Sequence, residues 1–105
     1  MKQFTIYADD DVPVREMSDT VYSTVISVGG TAESVTVPTG ARIVFFKATA
    51  DFYVKTSGTA AVPSGDVLDG SASLLNPESL YVERVSTLSL VSSSGGAIIN
   101  MEFFA

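Results

Sequence analysis

The chain has 105 residues and a formal net charge of −6, from 12 acidic and 6 basic residues, with neither histidine nor cysteine. That length makes one domain with no room for a second, and 46% hydrophobic against 17% charged residues is enough apolar material for a core, which argues against disorder. No disulfide can staple it, its redox compartment is not legible, and an acidic chain whose Lys2, Arg15, Arg42, Lys47, Lys55 and Arg84 form no run is a poor partner for a phosphate backbone.

In residues 2–7, Phe4 and Ile6 share one face and Gln3, Thr5 and Tyr7 the other, the period of a first strand. Residues 8–19 are polar, carry Asp9-Asp10-Asp11 and Pro13, and predict a long connection with one helical turn around residues 14–17. No apolar segment follows Lys2, so no signal peptide is expected, and no apolar run approaches the ~20 residues of a membrane-crossing helix. Residues 21–28 alternate again. Gly29-Gly30 separates them from residues 33–37, which predicts a hairpin. Pro38-Thr39-Gly40 suits a turn, with Pro presetting φ and Gly accepting a positive one.

Residues 42–49 form the most apolar predicted strand, because Ile43, Val44, Phe45 and Phe46 are consecutive; such a strand is expected to be covered on both faces. Ala50-Asp51 marks a corner or bulge before a short strand over 52–55. Residues 56–73, rich in Gly, Ser, Ala and Asp, predict a long ordered loop, since strands resume beyond it. Asn76-Pro77-Glu78 has the chemistry of a helix start, an Asn cap followed by Pro and an acid, with room for one turn. Residues 81–85 and 87–91 read as strands and 92–96 as the final turn. The last strand, 97–104, places Ile99, Met101 and Phe103 inward against Ile98, Asn100 and Glu102.

About eight short strands, with turn signals at roughly 8–12-residue spacing, predict an all-β, antiparallel, jelly-roll-like sandwich in a single domain. Its expected core runs through Phe4, Ile6, Val25, Val44, Phe46, Phe52, Val54, Leu88, Leu90, Ile99 and Met101.

Without histidine or cysteine the chain lacks the commonest general base, the thiol nucleophile and the usual zinc ligands. No serine has a sequence neighbourhood that supplies a base and an oxyanion cradle. Some carboxylate pair always exists among 12 acids, so a glycosidase pair has no specific support. Asp9-Asp10-Asp11 with Glu16 and Asp19 lacks the alternation and glycine placement of a calcium loop, and Asp66 and Asp69 read as turn residues. Neither catalysis, nor a cofactor, nor a structural metal is expected. Tyr7, Tyr22, Tyr53 and Tyr81, with no tryptophan, give only thin support for a sugar platform, the best being Tyr53 beside Lys55. The positive mean hydropathy is consistent with apolar surface reserved for a partner.

From residue 34 onward the chain resembles small structural proteins of tailed bacteriophage virions. The matching pieces are the strand and turn V-x-V-P-x-G-A-R at 35–42, A-T-A-D-F-Y-V at 48–54, the loop A-A-V-P-S-G-D-V-L-D-G-S-A-S at 60–73, L-N-P-E at 75–78, and the closing strands over 87–104. The resemblance implies a non-enzymatic capsid cement or decoration protein, made in the host cytoplasm and carried in the virion. It would clamp capsid subunits and associate with copies of itself as a dimer or trimer. The alternative is a collar, tail or fibre-associated module that binds a receptor or glycan. Expected contact residues are Lys2, Phe4, Ile6 and Tyr7 in the terminal strand, acting as a tether, with Arg42 and the Tyr53/Lys55 pair on the body. Residues 1–20 lie outside the matching pieces.

Overall fold

The computed structural model describes residues 1, 22–93 and 96–105; the strand expected over 2–7, with Phe4 and Ile6, and the connection and helical turn over 8–19 lie outside the described residues. The described chain is all-β. Its strands are β1 (Tyr22–Val28), β2 (Glu33–Thr36), β3 (Ile43–Ala48), β4 (Tyr53–Lys55), β5 (Leu74–Leu75), β6 (Ser79–Tyr81), β7 (Thr87–Val91) and β8 (Ala97–Phe104). They form two four-stranded sheets, β1-β8-β3-β6 and β2-β7-β4-β5, and every pairing is antiparallel.

Strands from the start of the chain interleave with strands from its end: β1 with β8, β2 with β7, β3 with β6, β4 with β5. This is the order produced when two halves of a chain pair antiparallel and the resulting ribbon wraps into a double sheet, a jelly roll. Only β4 and β5 are neighbours in both sequence and sheet. The hairpin expected from residues 21–28 and 33–37 therefore does not form. β1 pairs with β8 and β2 with β7, and Gly29-Gly30 carries the chain from one sheet to the other. That corner is fixed from outside: Ser92 N–H donates to Gly29 O at 2.8 Å. Ser92, fully buried, also donates its hydroxyl to Asp51 O at 3.1 Å, so one serine holds two crossovers together.

The core lies between the inner faces. In β8 burial alternates strictly, with Ala97, Ile99, Met101 and Phe103 inside and Ile98, Asn100 and Glu102 outside. Val44 and Phe46 of β3 and Val28 of β1 complete that side; Val35, Val54, Leu88 and Leu90 face them from the second sheet. Each of these Val, Leu, Ile, Phe and Met side chains stabilises the fold by about 1.5–3 kcal/mol relative to exposure. Phe46 and Phe52 meet across the sandwich with ring centroids 5.6 Å apart. Met1 packs against the same cluster.

Some expectations are corrected. Val25 is not core but 60% exposed, because register with β8 turns Ile26 and Val28 inward opposite Ile99 and Ala97. Phe45, on the outer face of β3, is half-buried and meets Phe104 edge-on at 5.6 Å, so the outer side of that strand is partly covered. No helix starts at Asn76, which has φ 48° and belongs to the turn between β5 and β6. The strand expected over 81–85 lies earlier, at Ser79–Tyr81; Val82 is buried and accepts the Val85 N–H at 3.0 Å in a turn. The Pro38-Thr39-Gly40 turn forms as expected, closed by Ala41 N–H to Pro38 O at 3.1 Å with Gly40 at φ 90°.

Candidate interaction surface

Side chains alternate along a strand, so strand register assigns what each sheet shows to the outside. On the second sheet the outer face carries Ser89 and Val91 of β7, with Tyr53 and Lys55 of β4 beside them. Ser89 and Val91 are nonetheless buried. Over Ser89 lies the loop between β4 and β5, whose Ala60 is buried and donates its N–H to Ser89 Oγ at 2.8 Å. Lys55 Nζ donates to Ser71 O at 2.8 Å and Ala61 N–H to Ser73 Oγ at 3.1 Å, fastening the loop at further points. Asp69 shapes the loop from within by accepting from both Ser71 N–H and Ser71 Oγ. Those bonds hold its carboxyl below the ordinary aspartate value. The loop also presents exposed apolar side chains: Leu68, 90% exposed, its chain neighbour Val67, and Val62.

The first sheet shows Val25, Ile98, Asn100, Glu102, Phe45, Lys47 and Tyr81 on its outer face. Phe45 lies opposite Glu102 and Lys47 opposite Asn100, and together they line a depression of about 350 Å³. A second depression of about 370 Å³ lies at the β3–β4 corner, lined by Lys47, Asp51, Asn76 and Glu78 among others. Asp51 there accepts the Asn76 side-chain amide at 2.9 Å. Among the described residues no group of three or more acids could hold a metal ion, and no helix is long and apolar enough to cross a membrane.

The sequence-derived contact residues are scattered. Lys2, Phe4, Ile6 and Tyr7 lie outside the described residues. Arg42 is exposed just ahead of β3, where its N–H bonds Phe104 O and its C=O accepts Val82 N–H. Tyr53 and Lys55 sit in the other sheet, half-buried, and Lys55 is engaged by the loop. Sequence reasoning missed the loop-covered face and the composite Phe45, Lys47, Asn100, Glu102 depression. The sequence signal for the first was Ser89 set among the apolar Leu88, Leu90 and Val91.

The described residues define a jelly-roll sandwich of eight strands, with a loop folded over part of one outer face and mixed apolar and polar groups on the other. No family model, curated protein or solved structure matches the chain.

Proposed function

We propose that this chain is a non-enzymatic structural protein of a tailed-bacteriophage virion, a cement or decoration protein that binds between capsid subunits, associates with copies of itself and stabilises the head. The observation that carries the reading is where the virion-like segments fall. Residues 35–42 and 48–54 hold the β2–β3 and β3–β4 corners, 60–73 is the loop over the second sheet, and 75–78 and 87–104 hold the β5–β6 turn and the closing strands. They are the parts that wrap the chain into a jelly roll, an architecture that occurs among capsid proteins but does not by itself imply a function. Binding of this kind needs a stiff scaffold, shaped loops and open strand edges rather than reactive side chains.

The test is to strip purified particles, count copies of the chain and measure head stability before and after it is added back. Copies in proportion to capsid subunits, with restored heat resistance, support cement. A copy number matching a single vertex or the tail overturns it in favour of a collar or tail component. The depression lined by Phe45, Lys47, Asn100 and Glu102 favours a second reading, a receptor- or glycan-binding module, because an aromatic ring beside amide and acid is sugar-recognition chemistry. Glycan binding abolished by Asn100→Ala would select it.

A further inference from the structure

The edge of β1 differs from the other edges of the sandwich. β1 is 7 residues long and reads Tyr-Ser-Thr-Val-Ile-Ser-Val, with no acid, base or proline. Among the described residues it has a strand neighbour on its β8 side only. The remaining edge strands are shorter: β2 has 4 residues and carries Glu33, β6 has 3 and adjoins Glu78, and β5 has 2. Natural edges are usually blunted by charge, proline, a bulge or brevity. β1 has none of the first, second or last.

The direction of its free backbone groups follows from the ladder. Thr49 N–H donates to Ile98 O at 3.0 Å and Arg42 N–H to Phe104 O at 2.8 Å, so on β8 the groups of Ile98, Asn100, Glu102 and Phe104 point toward β3. Alternation turns those of Ala97, Ile99, Met101 and Phe103 toward β1, where Val28, Ile26, Thr24 and Tyr22 lie opposite. The N–H and C=O of Ser23, Val25 and Ser27 therefore face away from β8.

We infer that this edge pairs antiparallel with the same edge of a second copy of the chain, with Val25 opposite the partner's Val25, joining two first sheets into one continuous sheet. The inference deepens the self-association part of the reading above and rests on it, but not on capsid binding. Two observations select a second copy as the occupant. In this register Ser23 meets the partner's Ser27 and Thr24 the partner's Ile26, so the edge is complementary to itself, and Ser23, Val25 and Ser27 each exchange a pair of hydrogen bonds with the residue opposite. A two-fold axis of this kind is the commonest symmetry of homo-oligomers. The second observation is charge. Each copy carries −6, and the uncharged β1 edge lets two copies meet without placing like charges opposite one another. Across the joined sheet Glu102, which neighbours Ser23, falls in the row of the partner's Ile98, which neighbours Ser27, and not against the partner's Glu102.

The test uses the full chain, followed by sedimentation over a concentration series with amide hydrogen exchange read at Ser23, Val25 and Ser27. The wild type is expected to be a dimer, with those amides protected in step with dimer formation. Val25→Pro removes the central edge N–H without touching the bonds to β8, and Val25→Lys sets two like charges against each other. Each should halve the apparent mass, while Val25→Thr stays dimeric. Should Val25→Pro fail to fold, Val25→Lys at this exposed position decides. A monomeric wild type, or a Val25→Lys variant that remains dimeric, overturns the inference. Protection of those amides that persists in a monomeric Val25→Lys variant also overturns it. Particle binding is scored separately: a dimer that ignores particles sinks the virion reading alone, and a monomeric wild type that decorates them sinks this inference and the self-association it rests on while leaving capsid binding standing.

Discussion

Asn76 bonds both backbone groups of Phe52: its N–H donates to Phe52 O at 3.0 Å, and its side-chain Oδ1 accepts Phe52 N–H at 2.9 Å. The pair extends the β4–β5 ladder one step beyond Tyr53 and Leu75, with a side-chain carbonyl standing where a main-chain carbonyl would be. Asn76 can do this at φ 48° because asparagine tolerates the left-handed region better than other non-glycine residues. Asn76→Ala should lose about 1–3 kcal/mol, from an orphaned N–H and a strained backbone. Asn76→Asp keeps the acceptor but sets a carboxylate beside Asp51, and should rank between the two in chemical denaturation.

Phe46→Ala should cost about 3–5 kcal/mol, a large part of the stability of a domain this size. Phe46 is buried against Phe52, and Met101 lies opposite it in register. A melting temperature within a degree or two of wild type, on a scale where about 1 kcal/mol shifts Tm by roughly 4–8 °C, would contradict the packing described.

Ser89→Ala removes the acceptor of the buried Ala60 N–H and should cost about 1–3 kcal/mol. The loss should appear first in the loop, as faster proteolysis near the exposed Leu68 and faster exchange of the Ala60 amide. Thr at position 89 retains an acceptor and should restore much of the protection.

The hydrogen bonds from Ser71, led by its hydroxyl, lower the Asp69 pKa. A depressed carboxyl pKa contributes stability that is present above the unfolded value and lost as pH falls through the folded one. The loop clasp should therefore loosen only on the acid side of ordinary aspartate titration. Ser71→Ala should move the Asp69 titration, followed by NMR, up toward the ordinary value, with little effect on global stability because the group is fully exposed.

Chelator should leave the melting curve unchanged. A shift of several degrees would revive the acidic segment 9–19, with Asp9-Asp10-Asp11, Glu16 and Asp19, as a calcium site.

The fold class was legible because alternation is a local property. In β8 the odd positions Ala97, Ile99, Met101 and Phe103 are all apolar, whereas the even phase is interrupted at its centre by Asn100 and Glu102, so the odd phase is the one suited to a core, and that phase is buried. Tertiary structure decided what local pattern leaves open. β1 is apolar in both phases, Val25 in one and Ile26 with Val28 in the other, and only its register against β8 chose between them. The adjacency of β1 and β2 across Gly29-Gly30 suggested a hairpin, yet β1 pairs with β8 and β2 with β7, strands from the far end of the chain. The candidate surface was less legible still. Phe45 and Glu102 are far apart in sequence and meet through strand pairing, and Ala60 covers Ser89 only because the loop folds back over the sheet. Composition and period determined that this chain makes strands and which residues they can bury. Partners, phases and surfaces came from long-range pairing, because a strand's free energy is realised only against the strand that satisfies its backbone and covers its apolar side.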